Sequence, residues 1–337
     1  MLPEEYPFER ETIVRKILNI ETNPEWGCKP TERSIEELLE FGVIILDKPP
    51  NMTSHEVTAW IAKILGASAA AHGGTLDPKV TGVLPIALGR ATPIGGLWLK
   101  SDKEYICVMR LHDDVPESDL LRVFREFRGA IFQRPPLRSA VKRRTRIRKI
   151  YELELIEKEG RDVLFRVKCQ AGTYVRKLCV DIGDVLGVGA HMIDLRRVKS
   201  GIFDEKNAVI MQELVDAYKL WKDMGDETEL RRIILPAEVG VLNLRRIIIS
   251  DKAIGAITYG SQLYAPGIVA YDYDMVAGET VCILSIKGEL VGIAEVDVSG
   301  ADLAKMARGR VTRKIRVLMP KDIYPPFWKG EFRKIKS

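Results

Sequence analysis

Cysteine is scarce and carries no motif. The five cysteines, Cys28, Cys107, Cys169, Cys179 and Cys282, are odd in number, and no two form a C-x-x-C pair. That excludes a zinc ribbon, a disulfide framework and a thioredoxin-type redox motif, and reduced intracellular thiols are the simple expectation. Histidine is scarcer still: His55, His72, His112 and His191 have no ligand spacing and no H-E-x-x-H occurs, so no metal is expected. No G-x-S-x-G marks a serine hydrolase, and no G-K-[ST] completes a P-loop. The longest stretch free of Asp, Glu, Lys and Arg, residues 253–271, has the length of a membrane span. It holds Gly255, Gly260, Pro266 and Gly267 with Thr258, Ser261 and Gln262, so it reads as strand and turn. The start, MLPEEYPFER, is acidic and lacks the apolar core of a signal peptide. A soluble intracellular protein, without a membrane partner, is expected.

What is present fits a globular chain. Of 337 residues, 46% are hydrophobic and 29% charged, which sets aside disordered, collagenous and coiled-coil readings and suggests two or three domains. Residues 1–40 are charged, weakly patterned and interrupted by Pro24, Gly27 and Pro30; they read either as a tail or as an arm packed on another domain. A Ser-capped helix is expected over 34–41, and an apolar strand over 42–47 ends in Lys48-Pro49-Pro50. Thr53-Ser54-His55-Glu56 opens a helix to about 65 with Val57, Trp60, Ile61 and Ile64 on one face. A Gly-rich loop follows at 72–75. Residues 103–111 read as a strand, 117–127 as an amphipathic helix, 151–156 and 163–169 as paired strands, and 173–186 as a helix. No regular βαβ beat appears, which favours an α+β fold with a mixed, largely antiparallel sheet over a Rossmann fold. After about residue 244 the texture changes to short β runs (246–249, 268–271, 280–285, 290–298 and 316–319) with one helix over 251–259. That pattern suggests a small β barrel.

Two basic clusters stand out. Residues 134–149 (RPPLRSAVKRRTRIRK) hold eight Lys or Arg and no acid: Arg134, Arg138, Lys142, Arg143, Arg144, Arg146, Arg148 and Lys149. Residues 305–337 hold eleven basic residues against Asp322 and Glu331. One such run could be a solvated edge. Two on separate domains favour an extended polyanion, whose phosphates would offset the self-repulsion through counterion release. The loop His72-Gly73-Gly74-Thr75-Leu76-Asp77-Pro78 is the other oddity. Asp77 could cap a turn, or it could be a nucleophile or base, which would need a cationic orienter to stay ionised in a closed site. Arg176, in Gly172-Thr173-Tyr174-Val175-Arg176, is a candidate for that cation.

Together these segments resemble the tRNA pseudouridine synthase B class of enzymes. HGGTLDPKVTGVLPIALGRAT is similar to its catalytic-aspartate motif, KEYICVMRL to its Tyr motif, QRPPLRSAVKRR to its substrate-gripping thumb, and GTYVRKL with LGVGAHMIDLRR to its Arg and Leu motifs. Residues 244–325 resemble a PUA domain through ISDKAIGAITYGSQLYAPGI. The N-terminal arm and PUA region resemble the archaeal and eukaryotic branch, the dyskerin-like catalytic subunit of H/ACA guide ribonucleoproteins, which implies a place in the cytoplasm of an archaeal cell or the nucleolus of a eukaryotic one. The resemblance implies an N-terminal arm over 1–40, a catalytic domain over 41–243, a PUA domain over 244–325 and a basic tail over 326–337. It implies Asp77 as nucleophile toward the sugar C1′ or base C6 of a uridine, Arg176 as its ion-pair partner, Tyr105 stacked on the flipped base, and Leu195 as a pocket wall. His72 would help hold the target nucleotide out of its stack, 134–149 would grip substrate RNA, and the turn around Gly260, Leu263, Pro266 and Gly267 would approach the 3′ end of a guide RNA. No cofactor is implied. The implied partners are guide RNA, substrate rRNA or tRNA, small Nop-type and Gar-type proteins and a kink-turn binder. A stand-alone tRNA enzyme and a non-catalytic RNA-binding scaffold are the alternatives. The sequence departs from the family pattern at Ser68-Ala69-Ala70-Ala71, where a basic residue and a Gly are usual, at Pro93, where a basic residue is usual, and at Ile202, where Pro is usual.

Overall fold

Strands and helices alternate irregularly in this computed structural model, which describes residues 2–4, 6–17, 21–134 and 144–326. The chain opens with β1 (Ile13–Arg15), α1 (Ile35–Glu40) and β2 (Gly42–Lys48). Then come α2 (Ser54–Leu65), β3 (Ala70–His72), β4 (Thr81–Leu88), α3 (Gly95–Leu99), β5 (Lys103–Leu111), α4 (Glu117–Glu126), β6 (Gly129–Gln133), β7 (Arg146–Glu159), β8 (Asp162–Cys169), α5 (Val175–Val185), β9 (Ala190–Ser200), β10 (Phe203–Asp204), α6 (Met211–Met224) and α7 (Thr228–Ile233). The last part holds β11 (Leu235–Pro236), β12 (Arg245–Ile249), α8 (Asp251–Thr258), β13 (Ile268–Asp272), β14 (Thr280–Leu284), β15 (Leu290–Val296), α9 (Gly300–Lys305) and β16 (Thr312–Val317). These elements divide into two compact units, Met1–Val43 with Leu235–Ser337, and Ile44–Ile234.

The unit Ile44–Ile234 is an α+β body on a mixed, largely antiparallel sheet. Its strands run β2-β4-β9-β5-β8-β7-β6, with β3 paired to β4 and β10 to β9. Only the β4–β9 step among the registered pairs here is parallel. One cluster of buried side chains ties α4 and α5 to the sheet, including Leu120, Phe124, Phe165, Leu178 and Ile182. Helix α2 starts where Thr53 and Glu56 form a reciprocal capping box, and it stops at Gly66 in a left-handed turn. Its buried stripe is Val57, Ile61 and Leu65, spaced i, i+4, i+8. Trp60 falls on the flank of that stripe and is 58% exposed, unlike the expectation that placed it on the inner face.

Two strands that carry the site were not expected. β4 contains Pro85, which has no N–H for a ladder and so weakens the strand signal. β9 lies mid-sheet between β4 and β5, although its Asp194, Arg196, Arg197 and Lys199 give it a polar reading. The strand expected at 151–156 also extends back to Arg146, so part of the basic run is sheet.

The unit Met1–Val43 with Leu235–Ser337 is built on a six-stranded sheet ordered β1-β13-β12-β14-β15-β16, antiparallel except between β12 and β14. The sheet packs with α8 and α9 around Ile247, Ile254, Ile257, Val281, Val296 and Leu303. The N-terminal segment is part of this unit. β1 pairs with β13, Lys287 Nζ donates to the carbonyls of Asn23, Pro24, Trp26 and Gly27, and Arg33 makes a two-armed buried ion pair with Glu238. Residues from 235 onward also count with it, since Leu235 and Pro236 pair with Val43 and Gly42. Among the described residues, no helix is long and apolar enough to cross a membrane.

Candidate active site

The loop between β3 and β4 is pinned through its main chain. Ser54, at the start of α2, accepts from the Leu76 N–H at 2.8 Å and donates to the Leu76 carbonyl at 3.2 Å. Lys48 is fully buried and donates to the carbonyls of Pro49 (2.7 Å), Met52 (2.6 Å) and Pro78 (3.0 Å). Gly73 donates to the Pro85 carbonyl, and a Cβ at Gly73 would lie 2.7 Å from Trp98 Cε3, so that position has no room for a side chain. The Asp77 carbonyl accepts from Val80 N–H. These anchors engage main-chain groups and not the Asp77 side chain, so its carboxylate is free of scaffold duty.

The structure brings that carboxylate into an ion pair with Arg176. Their side chains are 53% and 52% exposed, and at that exposure an ion pair contributes only about 0–1 kcal/mol to stability. Arg176 is the second residue of α5, where a helix N-terminus disfavours a cation. Orientation of the carboxylate explains the pair better than stability does. The start of α5 is itself bracketed: Gln133, buried at the end of β6, accepts from the Tyr174 N–H and donates to the Tyr174 carbonyl.

Tyr105 on β5 and Leu195 on β9 are each 8% exposed. They belong to the same apolar cluster as Leu76 and Val80, which flank Asp77, and Val175, which precedes Arg176. An ionic pair therefore sits at the surface of an apolar floor. Burial raises the Tyr105 phenol pKa, and the Arg197 cation opposes it.

His72, at the end of β3, packs edge-on against His55 with ring centroids 4.8 Å apart. Its Nδ1 accepts from the Gly74 N–H at 3.4 Å, which places the proton of the neutral ring on Nε2. Burial, then the His55 and Arg197 charges, push its pKa down to about 4. Because the folded value lies below the ordinary 6.5, the unfolded chain binds this proton first; folding stability should fall as pH drops from 6.5 toward 4 and gain nothing from His72 above that window. An imidazole NMR titration should show the His72 ring changing near pH 4; a midpoint near 6.5 would refute the neutral, half-buried assignment.

Three buried residues that hold main-chain groups around the site were not singled out from sequence: Lys48, Gln133 and Arg197. Arg197 is 1% exposed and donates from Nε to the Val83 carbonyl (2.8 Å) and from Nη2 to the Gly74 carbonyl (3.0 Å). Lys103 is a further buried cation, held by the Trp98 and Ser101 carbonyls, with its pKa pushed down to about 8 by burial and by Arg197. The adjacent Arg196 faces the other way and takes Asp47 in a two-armed ion pair with Glu205 beside it. Strand alternation sends one arginine outward and the other inward, and an Arg-Arg doublet inside a strand is the only sequence sign of it.

Of the expected RNA contacts, Arg138, Lys142 and Arg143 lie outside the described residues. Arg134, Arg144 and Lys149 are exposed, Arg146 and Arg148 half-buried, with 146–149 on β7 beside β6. Phe132 and Ile147 face each other across these strands and are both exposed, which gives the base of the basic run an apolar patch. In the other unit, Gly260 is exposed with a φ of +102°, Pro266 is exposed and Gly267 half-buried. Leu263 fills the core, and its N–H and carbonyl are engaged by Thr312 and Val311. The Leu263 side chain therefore has no face to offer an RNA.

Comparison with known proteins gives this geometry its context. Residues 62–175 match the TruB family pseudouridylate synthase N-terminal domain, 176–242 the tRNA pseudouridylate synthase B C-terminal domain, 245–318 the PUA domain and 7–58 the DKCLD domain. The chain is 52% identical to a probable tRNA pseudouridine synthase B of Methanocaldococcus jannaschii, over 95% of each chain. A solved complex described as Cbf5-Nop10-Gar1 contains a chain 49% identical, with TM-score 0.87 over 93% of this chain and 95% of that one. An H/ACA ribonucleoprotein bound to a substrate RNA containing 2′-deoxyuridine contains one 45% identical, with TM-score 0.88 over 94% and 97%. The protein is a pseudouridine synthase, an RNA isomerase. It belongs to the TruB family.

Proposed function

We propose that this chain isomerises uridine to pseudouridine in rRNA or tRNA as the catalytic subunit of an H/ACA guide ribonucleoprotein in the cytoplasm of an archaeal cell, with Asp77 as nucleophile. The observation that carries the reading is the Asp77–Arg176 pair, mounted on a rigid loop over an apolar floor that includes Tyr105 and Leu195. A carboxylate oxygen of Asp77 bonds to the target nucleoside, at C1′ or C6. The N1–C1′ bond breaks, the base turns, a C5–C1′ bond forms, the bond to Asp77 breaks and returns the carboxylate, and the C5 proton leaves as N1 gains one. Arg176 aims the carboxylate, the Tyr105 ring stacks on the extruded base, Leu195 walls it and neutral His72 supports the flipped nucleotide. Catalysis of this kind rests on orientation and asks for no cofactor.

The basic run 134–149 grips the RNA backbone, and the turn at 260–267 meets guide RNA through Gly260, Pro266 and Gly267. Residues 1–40 act as an arm, 41–243 as the catalytic domain, 244–325 as the PUA domain and 326–337 as a basic tail. Nop-type and Gar-type proteins and a kink-turn binder complete the particle, a reading supported by the Cbf5-Nop10-Gar1 and H/ACA neighbours. A second reading, action on tRNA without a guide, is favoured by the tRNA synthase names of the relatives.

Tritium release from C5-labelled uridine separates them. The guide reading expects release from a target paired to an H/ACA guide in the presence of the companion proteins and little from a bare tRNA transcript. Equal release from tRNA alone would favour the second reading, and none from either RNA would overturn both.

A further inference from the structure

Arg197 is the least explained charge in the catalytic unit. Among the described residues its guanidinium donates to carbonyls and not to carboxylates, although it is 1% exposed. A buried guanidinium without a counter-charge is costly, and an apolar side chain of similar size would serve the core better. Its acceptors tell another story. Nε and Nη2 reach the carbonyls of Val83 on β4 and Gly74 on the Asp77 loop, and the cation bears on the Tyr105 phenol, its cross-strand neighbour, where it opposes the rise in pKa that burial brings. Arg197 stands opposite Tyr105 in the β5–β9 register and opposite Gly82 in the β4–β9 register. The backbone is shaped to allow this: Gly82 holds φ +102°, and a Cβ there would lie 2.2 Å from the Arg197 carbonyl oxygen. One planar fork thus joins the nucleophile loop to the strand that follows it, directly across the sheet from the tyrosine.

Building on the proposed function, we infer that Arg197 is a positioning residue that locks the Tyr105 phenol to the Asp77 loop, so that ring and carboxylate meet the target base in one fixed geometry. It touches neither substrate nor the reacting atoms. Arginine suits the task because its rigid fork serves several acceptors at once, whereas lysine offers a point charge on a flexible stem. Lys103 and His72 lie in the same field and Cys169 on β8 is also close to the phenol, so a change at Arg197 should be read at Tyr105 itself.

The test compares wild type, Arg197→Lys and Arg197→Met as full chains in the assembled particle. It reads RNA affinity, single-turnover tritium release, and the ring-carbon NMR signal of Tyr105, assigned with Tyr105→Phe. Arg197→Met should slow release by roughly tenfold to a hundredfold, the scale of a small misplacement in a positioned site, with RNA affinity unchanged. Its Tyr105 signal should move and titrate at higher pH, because the opposing cation is gone. Arg197→Lys should recover part of the rate, and it carries the test if Arg197→Met fails to fold. A rate loss with the Tyr105 signal unmoved, or wild-type rate in Arg197→Lys with that signal unmoved, overturns the inference and leaves the proposed reaction standing. Full rate in Tyr105→Phe removes any need for a held phenol and the inference with it, while the stacking role of the ring and the assignment of Asp77 survive.

Discussion

Asp77→Asn should abolish tritium release from C5-labelled uridine while leaving RNA binding and thermal stability near wild type. The amide keeps the size and planarity of the carboxylate but is a far poorer nucleophile, so a covalent route through this atom is lost. The expected fall in the single-turnover constant is roughly four orders of magnitude or more, on the scale seen when a covalent nucleophile is removed from other enzymes. The fold should not notice. The loop is held by Ser54, Lys48 and Arg197 through main-chain groups, and the Asp77 carbonyl keeps its bond from Val80. A half-exposed side chain of conserved shape typically changes stability by no more than about 0.5 kcal/mol. A variant that binds and melts as wild type yet retains a rate within about tenfold would remove Asp77 from the covalent step.

Much of this site was legible from residue order, and the rest was hidden for physical reasons. The Gly-rich loop and its aspartate could be singled out because paired glycines before Leu-Asp-Pro are conspicuous. The cation that meets Asp77 lies 99 positions along the chain, and only a resemblance of motifs joined the two before the fold did. β4 was obscured by Pro85, and β9 by charges whose partners are remote: Arg196 finds Asp47 and Glu205, while Arg197 finds the carbonyls of Gly74 and Val83. Lys48 and Gln133 follow the same pattern. Each works by bonding main-chain groups, which carry no residue identity, so no pair of side chains in the sequence could announce them. Composition marks apolar residues for the interior, and it has no mark for a cation buried to hold a loop.

Arg176→Lys should lower the single-turnover constant by roughly a hundredfold to a thousandfold, the range for removing one aligned donor from a site, with little change in melting temperature or in the salt dependence of RNA binding. Charge at the mouth of the site is unchanged, so the phosphate-driven part of affinity stays. Stability stays because the exposed pair is worth about 0–1 kcal/mol, and the helix start disfavours either cation equally. What changes is direction. In the proposed role the guanidinium fixes the plane of the carboxylate with its rigid geometry, and the ammonium cannot. If Arg176 served mainly as a phosphate contact, Arg176→Lys would keep the rate at saturating RNA and lose only affinity. The two roles therefore part in a single titration: a lowered plateau with an unmoved midpoint assigns Arg176 to aiming Asp77, and an unmoved plateau with a shifted midpoint assigns it to holding RNA.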